Sequence, residues 1–153
     1  MYVDKSLFFI DTVGLAAGTA WSTLWAHTTS NISDTIDLLD TANRRICAGG
    51  YLVIQVGTQP AQAATGTTRF SLLNSAAAGL GTNTVLWTSG EIDDAVVSAY
   101  VASSTIYTVK MPMEFPLRYI GMEFYFTTND WTAGTLNCFI TPDAPIPPTG
   151  YQV

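Results

Sequence analysis

The stretch Arg118-Tyr119-Ile120-Gly121-Met122-Glu123-Phe124-Tyr125-Phe126 decides the fold class. Ile120, Met122, Phe124 and Phe126 fall on one side of an extended chain, and Tyr119, Gly121, Glu123 and Tyr125 fall on the other. That period of two belongs to a half-buried β-strand. The same alternation returns in Gly134 to Thr141, with Leu136, Cys138 and Ile140 on one face. Working outward, Thr105-Ile106-Tyr107-Thr108-Val109-Lys110 and Arg69-Phe70-Ser71-Leu72-Leu73-Asn74 alternate as well, and Thr84-Val85-Leu86-Trp87-Thr88 is a further short strand. Tyr51-Leu52-Val53-Ile54-Gln55-Val56 is apolar on both faces, which fits a central strand covered on two sides. Leu7 to Ile10, Thr35 to Leu39 and Ile92 to Val97 carry weaker strand patterns.

The punctuation agrees. Gly49-Gly50 precedes one strand, Gly57 to Gly66 reads as a loop around Pro60, and Ser75 to Asn83 is rich in Ala and Gly. Thr128-Asn129-Asp130-Trp131-Thr132-Ala133-Gly134 reads as a hairpin connection between the last two strands. Asn31 to Arg45 has room for a turn of helix, but Thr35-Ile36-Asp37-Leu38 alternates equally well. Short strands with turn signals every ten or so residues indicate an antiparallel β-sandwich or barrel.

The chain has 153 residues, which suits one domain with a real core. The sandwich is expected over residues 1–143. Residues 144–153 read as an extended tail, because four of the seven prolines lie between Pro142 and Gly150. Residues 11–33 have little pattern and are expected as a long loop over the sandwich. Hydrophobic residues make up 48% and charged residues only 12%, about half the usual charged share. The high apolar share excludes a disordered chain, and six Lys and Arg against a net charge of −6 leave no basic stripe for nucleic acid. A weakly charged surface of this kind raises the question of what covers it.

The N-terminus does not read as a signal peptide, since Asp4 and Asp11 bracket a short apolar run. No run is long enough for a spanning helix. A cytosolic site of synthesis, with no membrane partner, is expected. Cys47 and Cys138 match no zinc spacing and read as reduced, buried thiols.

Chemistry is sparse. His27, the single histidine, lies among small polar residues and forms no evident triad or metal site. Asp34, Asp37 and Asp40, and Glu91, Asp93 and Asp94, match no calcium loop and read as solvated turns. Gly79-Leu80-Gly81 is loop composition, not a phosphate cradle. No catalytic, metal or cofactor residue is assigned, and the chain is not expected to be an enzyme. Binding residues are the better candidates: Trp21, Trp25 and Trp131 as exposed aromatic anchors, and Arg44 and Arg45 as interface cations. Arg44, Arg45 and Arg118 hold half of the positive charge and suit an interface; the competing reading for them is ordinary surface pairing with nearby Asp40 or Glu123.

Leu117 to Phe126 followed by Trp131-Thr132-Ala133-Gly134-Thr135-Leu136 resembles the Bbp16-type capsid cement proteins of tailed phages. In these an Arg-Tyr strand is followed by a Thr-Ala-Gly turn and an outgoing strand. Asn74-Ser75-Ala76-Ala77-Ala78-Gly79-Leu80-Gly81 and Ser89-Gly90-Glu91-Ile92 are similar to that family's Ala/Gly loop and its following stretch. The likeness covers most of residues 51–143. It implies a jelly-roll-like β-sandwich, trimeric, on the outer capsid surface of the virion at three-fold and quasi-three-fold positions. There it would clamp neighbouring major capsid proteins, with no cofactor and no nucleic-acid contact. The competing reading is a carbohydrate- or receptor-binding sandwich, lectin-like or a tail adhesin, using Trp131 or Trp21 as a stacking platform. A small hydrolase using the carboxylates is a third.

Overall fold

The computed structural model describes residues 8–10, 30–32, 35–39, 47–62, 66–126 and 131–143. Along the chain run β1 (Phe8–Ile10), β2 (Ser30–Ile32), β3 (Ile36–Asp37), β4 (Tyr51–Gln62), β5 (Thr67–Ser75), β6 (Asn83–Thr88), β7 (Ile92–Asp93), a short helix α1 (Asp94–Ser98), β8 (Thr105–Lys110), β9 (Tyr119–Phe126) and β10 (Trp131–Thr141). The strands form two antiparallel sheets. One has the order β1-β10-β4-β8; the other has the order β2-β9-β5-β6, with β3 beside β9 and β7 beside the start of β5. The chain changes sheet between β1 and β2, β3 and β4, β4 and β5, β7 and β8, β8 and β9, and β9 and β10. This interleaving of two four-stranded orders is that of a jelly roll.

Stacking places the core between the sheets. Phe70, Leu72, Ile120, Met122 and Phe124 meet Leu52, Ile54, Leu136, Cys138 and Ile140 across the gap, all buried. Within its sheet Phe70 stands edge-on to Phe124, 5.6 Å between centroids. Across the gap it reaches Tyr107 at 6.3 Å, and Trp87 packs edge-on to Tyr107 at 5.4 Å. The alternation of β9 and β10 is thus realised as expected. Val53 is buried too, on the opposite face of β4 from Leu52 and Ile54, in keeping with a strand covered on both sides.

Four local expectations are corrected. The last two strands do not form a hairpin: β9 pairs with β2, β3 and β5, whereas β10 pairs with β1 and β4. Two successive strands with one apolar face each can satisfy it by lying side by side or by stacking face to face, and alternation is the same in both. Secondly, β4 does not stop at Val56 but runs through Pro60 to Gln62. Proline is tolerated because the ladder is irregular there: Thr58 faces Thr135 and Ala61 faces Ala133, so Gln59 and Pro60 together oppose Gly134. Gly134 has φ +115°, and a Cβ on it would lie 2.6 Å from the Pro60 Cα, so glycine is required on both counts. Thirdly, Ile92 to Val97 is a two-residue strand followed by α1, because the Asp93 carboxylate accepts from the Ala95 N–H at 2.8 Å and caps the turn. Fourthly, the strand expected from Thr35 to Leu39 is only Ile36–Asp37, since Asp37 turns the chain by accepting from the Leu39 N–H at 2.9 Å.

The expected loop over residues 11–33 lies outside the described residues except at β2, and the expected tail, 144–153, lies wholly outside them.

Candidate interaction surface

Strand β5 sets the geometry of both ends of the sandwich. Its inward row is Thr68, Phe70, Leu72 and Asn74, so the apolar middle is flanked by a polar residue at each end, all buried.

At one end Asn74 holds the segment leading into β9. Its Nδ2 donates to the carbonyls of Leu117 (3.0 Å) and Tyr119 (2.8 Å), and its Oδ1 accepts from the Leu117 N–H (3.0 Å). Nearby, Arg118 forms a two-pronged pair with Asp37: Nε to Oδ1 at 3.0 Å and Nη2 to Oδ2 at 2.7 Å. The Arg118 guanidinium also lies 4.8 Å over the Tyr119 ring. The hydrogen bond from Arg118, then the Leu39 N–H, holds the Asp37 carboxyl below its ordinary pKa, and the same pair raises that of Arg118. A groove of about 210 Å³ runs beside this pair, lined by Leu38, Leu39, Phe115, Pro116, Leu117 and Arg118. Leu39 and Met113, the most exposed large apolar residues described (65% and 71%), stand at this end.

At the other end Asp94 is buried, at the start of α1. Its Oδ1 accepts from the Thr68 hydroxyl at 2.6 Å, and its backbone N–H donates to the Gly66 carbonyl at 3.0 Å. The expected solvated cluster Glu91, Asp93 and Asp94 is thus divided: Glu91 and Asp93 are exposed, but Asp94 is an internal brace.

On the outer face of the sheet, β5 brings a second paired arginine against β9. Arg69 lies 4.8 Å over Tyr125 and 3.7 Å from the Glu123 carboxylate. The expected partners of Arg118 are corrected accordingly: Glu123 is taken by Arg69, and Arg118 by Asp37. Asp40 lies outside the described residues. Midway along the same face Leu80 sits over Gly121, where any Cβ would meet the Leu80 side chain. The Ala/Gly loop after β5 is therefore folded onto the sheet.

Cys47 and Cys138 are free thiols buried in the core, as expected. Burial pushes the Cys47 pKa up to about 12 and that of Cys138 well above its usual value, so neither is a ready nucleophile at neutral pH.

Among the five anchors expected from sequence, Trp21, Trp25, Arg44 and Arg45 lie outside the described residues, as does His27. Trp131 opens β10, its backbone opposite Gln62, and its side chain is outside the described set. Sequence reasoning missed Asn74 and the Asp37–Arg118 pair. Asn74 was visible as the one amide in a row with Phe70 and Leu72; the ion pair joins positions too distant in sequence to be matched by pattern. Among the described residues no three His, Cys, Asp or Glu side chains gather as a metal site, and no helix is long and apolar enough to cross a membrane.

The fold and its surfaces define an all-β jelly-roll protein whose described polar groups brace loops and sheet faces. The chain belongs to the Bbp16 family, whose model matches residues 21–140, and this is a phage-associated family. No curated protein matches the chain.

Proposed function

We propose that the protein is a capsid cement protein of a tailed phage, binding the outside of the head and clamping neighbouring major capsid proteins. The observation that carries this reading is the Bbp16 family match over residues 21–140. The jelly roll supports it by supplying a stiff body with loops at both ends for contact. A protein of this kind acts by binding, not turnover, and needs no cofactor. It favours the assembled shell because it binds the lattice better than free subunits, and so adds its binding free energy to the lattice. Multiple copies presented together make later contacts effectively intramolecular. A chain of net charge −6 suits the surface facing away from packaged nucleic acid.

The test is to mix the purified protein with bare expanded heads and image them. Ordered density on the outer surface, with a raised head melting temperature, is expected. Density at three-fold positions supports the trimeric placement; density at two-fold positions keeps the cement role and replaces the trimer. No density on heads, together with binding to cells or glycans, overturns the proposal in favour of an adhesin.

A further inference from the structure

We propose that the groove beside the Asp37–Arg118 pair is the docking site of this chain's own proline-rich segment, residues 144–153. This goes beyond the cement reading and does not depend on it. Topology brings the two together. Thr141, the last residue of β10, lies opposite Tyr51, and Tyr51 lies opposite Lys110, the last residue of β8. From Lys110 the chain runs through the groove-lining Phe115, Pro116, Leu117 and Arg118 into Tyr119, the first residue of β9. Leu38 and Leu39, which complete the lining, follow β3, whose Asp37 lies opposite Tyr119. The two sheet orders, with Trp87 of β6 packed on Tyr107 of β8, set β10 over β9. Strand β10 therefore ends at the groove's end of the sandwich, about one inter-sheet spacing of 10 Å away.

Reach and chemistry select the occupant. Ala144-Pro145-Ile146-Pro147-Pro148-Thr149-Gly150-Tyr151-Gln152-Val153 follows directly on the described chain. An extended proline-rich chain advances about 3.1 Å per residue, so Ile146 comes about 9 Å beyond Asp143. Pro145, Pro147 and Pro148 fix φ and so lower the entropy cost of binding. Proline-rich segments dock in grooves lined by aromatic and apolar side chains, here Phe115 with Leu38, Leu39 and Leu117. At about 210 Å³ the groove is smaller than the about 300–1,000 Å³ of small-molecule sites, and it suits one or two side chains of a segment laid across it. Among the described lining residues only Arg118 is charged, and Asp37 already neutralises it. Residues 144–153 carry no charge either, so this segment gives up no ion pair on entering, whereas a charged partner would find no counter-charge. The approach is apolar as well: Met113 is 71% exposed, and its sulfur lies against Gly49, two residues before Tyr51. Tethering makes the docking intramolecular and independent of protein concentration.

The experiment is nuclear magnetic resonance of the full chain, reading Overhauser contacts between Ile146 or Pro147 and the side chains of Leu39, Phe115 and Leu117. The wild type is expected to show these contacts at every protein concentration. Ile146→Asp and Leu39→Asp are each expected to abolish them, because a carboxylate cannot enter an uncharged groove without losing its hydration. Leu39 is 65% exposed and Ile146 lies outside the sandwich core, so both variants should keep the fold. A wild type without the contacts overturns the proposal, and that reading needs no variant. Contacts seen only between differently labelled copies in a mixture overturn it in favour of a neighbour's segment. Contacts kept by both folded variants overturn it as well.

Discussion

The two ends of the sandwich are each closed by a polar side chain reaching from or to β5, and they are closed differently. At the β9 end a neutral amide, Asn74, binds only backbone groups, and a charged pair, Asp37–Arg118, lies outside it in water. At the α1 end the charge is inside: Asp94 is buried and takes the Thr68 hydroxyl. Burial multiplies the worth of a hydrogen bond chiefly by making its loss costly. The comparison therefore ranks the braces by depth, not by formal charge. Asn74 stands first, Thr68–Asp94 second, and the ion pair last although it has the shortest pairing at its own end.

Asn74→Ala is the largest way to break the comparison. It leaves one amide N–H and two carbonyls of the segment Leu117 to Tyr119 without their partner. Each such group costs about 1–3 kcal/mol when it stays buried, and water entry relieves part of that, so about 2–4 kcal/mol in all is expected. Denaturant unfolding measures it. A loss below about 1 kcal/mol would mean that the segment is held by its apolar contacts instead.

Thr68→Val sharpens the other end. The replacement keeps the shape of the side chain and removes one donor to the Asp94 carboxylate. About 1–2 kcal/mol is expected, smaller than for Asn74 because only one bond is deleted. Thr68→Ser, which retains the hydroxyl, should recover most of it. Recovery with serine but not valine would assign the effect to the hydrogen bond; stability kept with valine but lost with serine would assign it to the methyl group's packing.

How much of this could be read from sequence follows the range of the interaction. Ile120, Met122 and Phe124 announce their buried face by local alternation, and the turn after β3 follows from Asp37 and its neighbour two residues on. Which sheet a strand joins depends on partners far along the chain, so β9 and β10 were legible as strands but not as stacked. Pro60 signals a loop by its own chemistry, and only Gly134, on another strand, reveals the bulge that accommodates it. The same holds for the surface braces. Asp94 sits among exposed acids in sequence, and its burial comes from Thr68 on β5. The anchors expected at Trp21, Trp25, Arg44, Arg45 and Trp131 rest on residue type alone.

Asp37→Asn gives the smallest effect and the sharpest pH signature. The pair is exposed, so solvent screening leaves it a minor contributor, below either buried brace. Its sign is nevertheless fixed. The folded-state pKa of Asp37 lies below the ordinary 3.8, chiefly through the Arg118 hydrogen bond and then the Leu39 N–H. A lowered carboxylate pKa contributes stability that is complete above the unfolded-state value and disappears as pH falls through the folded-state value. The wild type should therefore exceed Asp37→Asn slightly in melting temperature at neutral pH. The gap should persist down to about pH 4–5, then close as the solution becomes more acidic than the ordinary carboxylate range. Added salt should shrink it at neutral pH, where the pair is ionised. A gap that ignores both pH and salt would show that Asp37 acts through its turn to Leu39 alone, and the β9 end would then be held by Asn74 without help from charge.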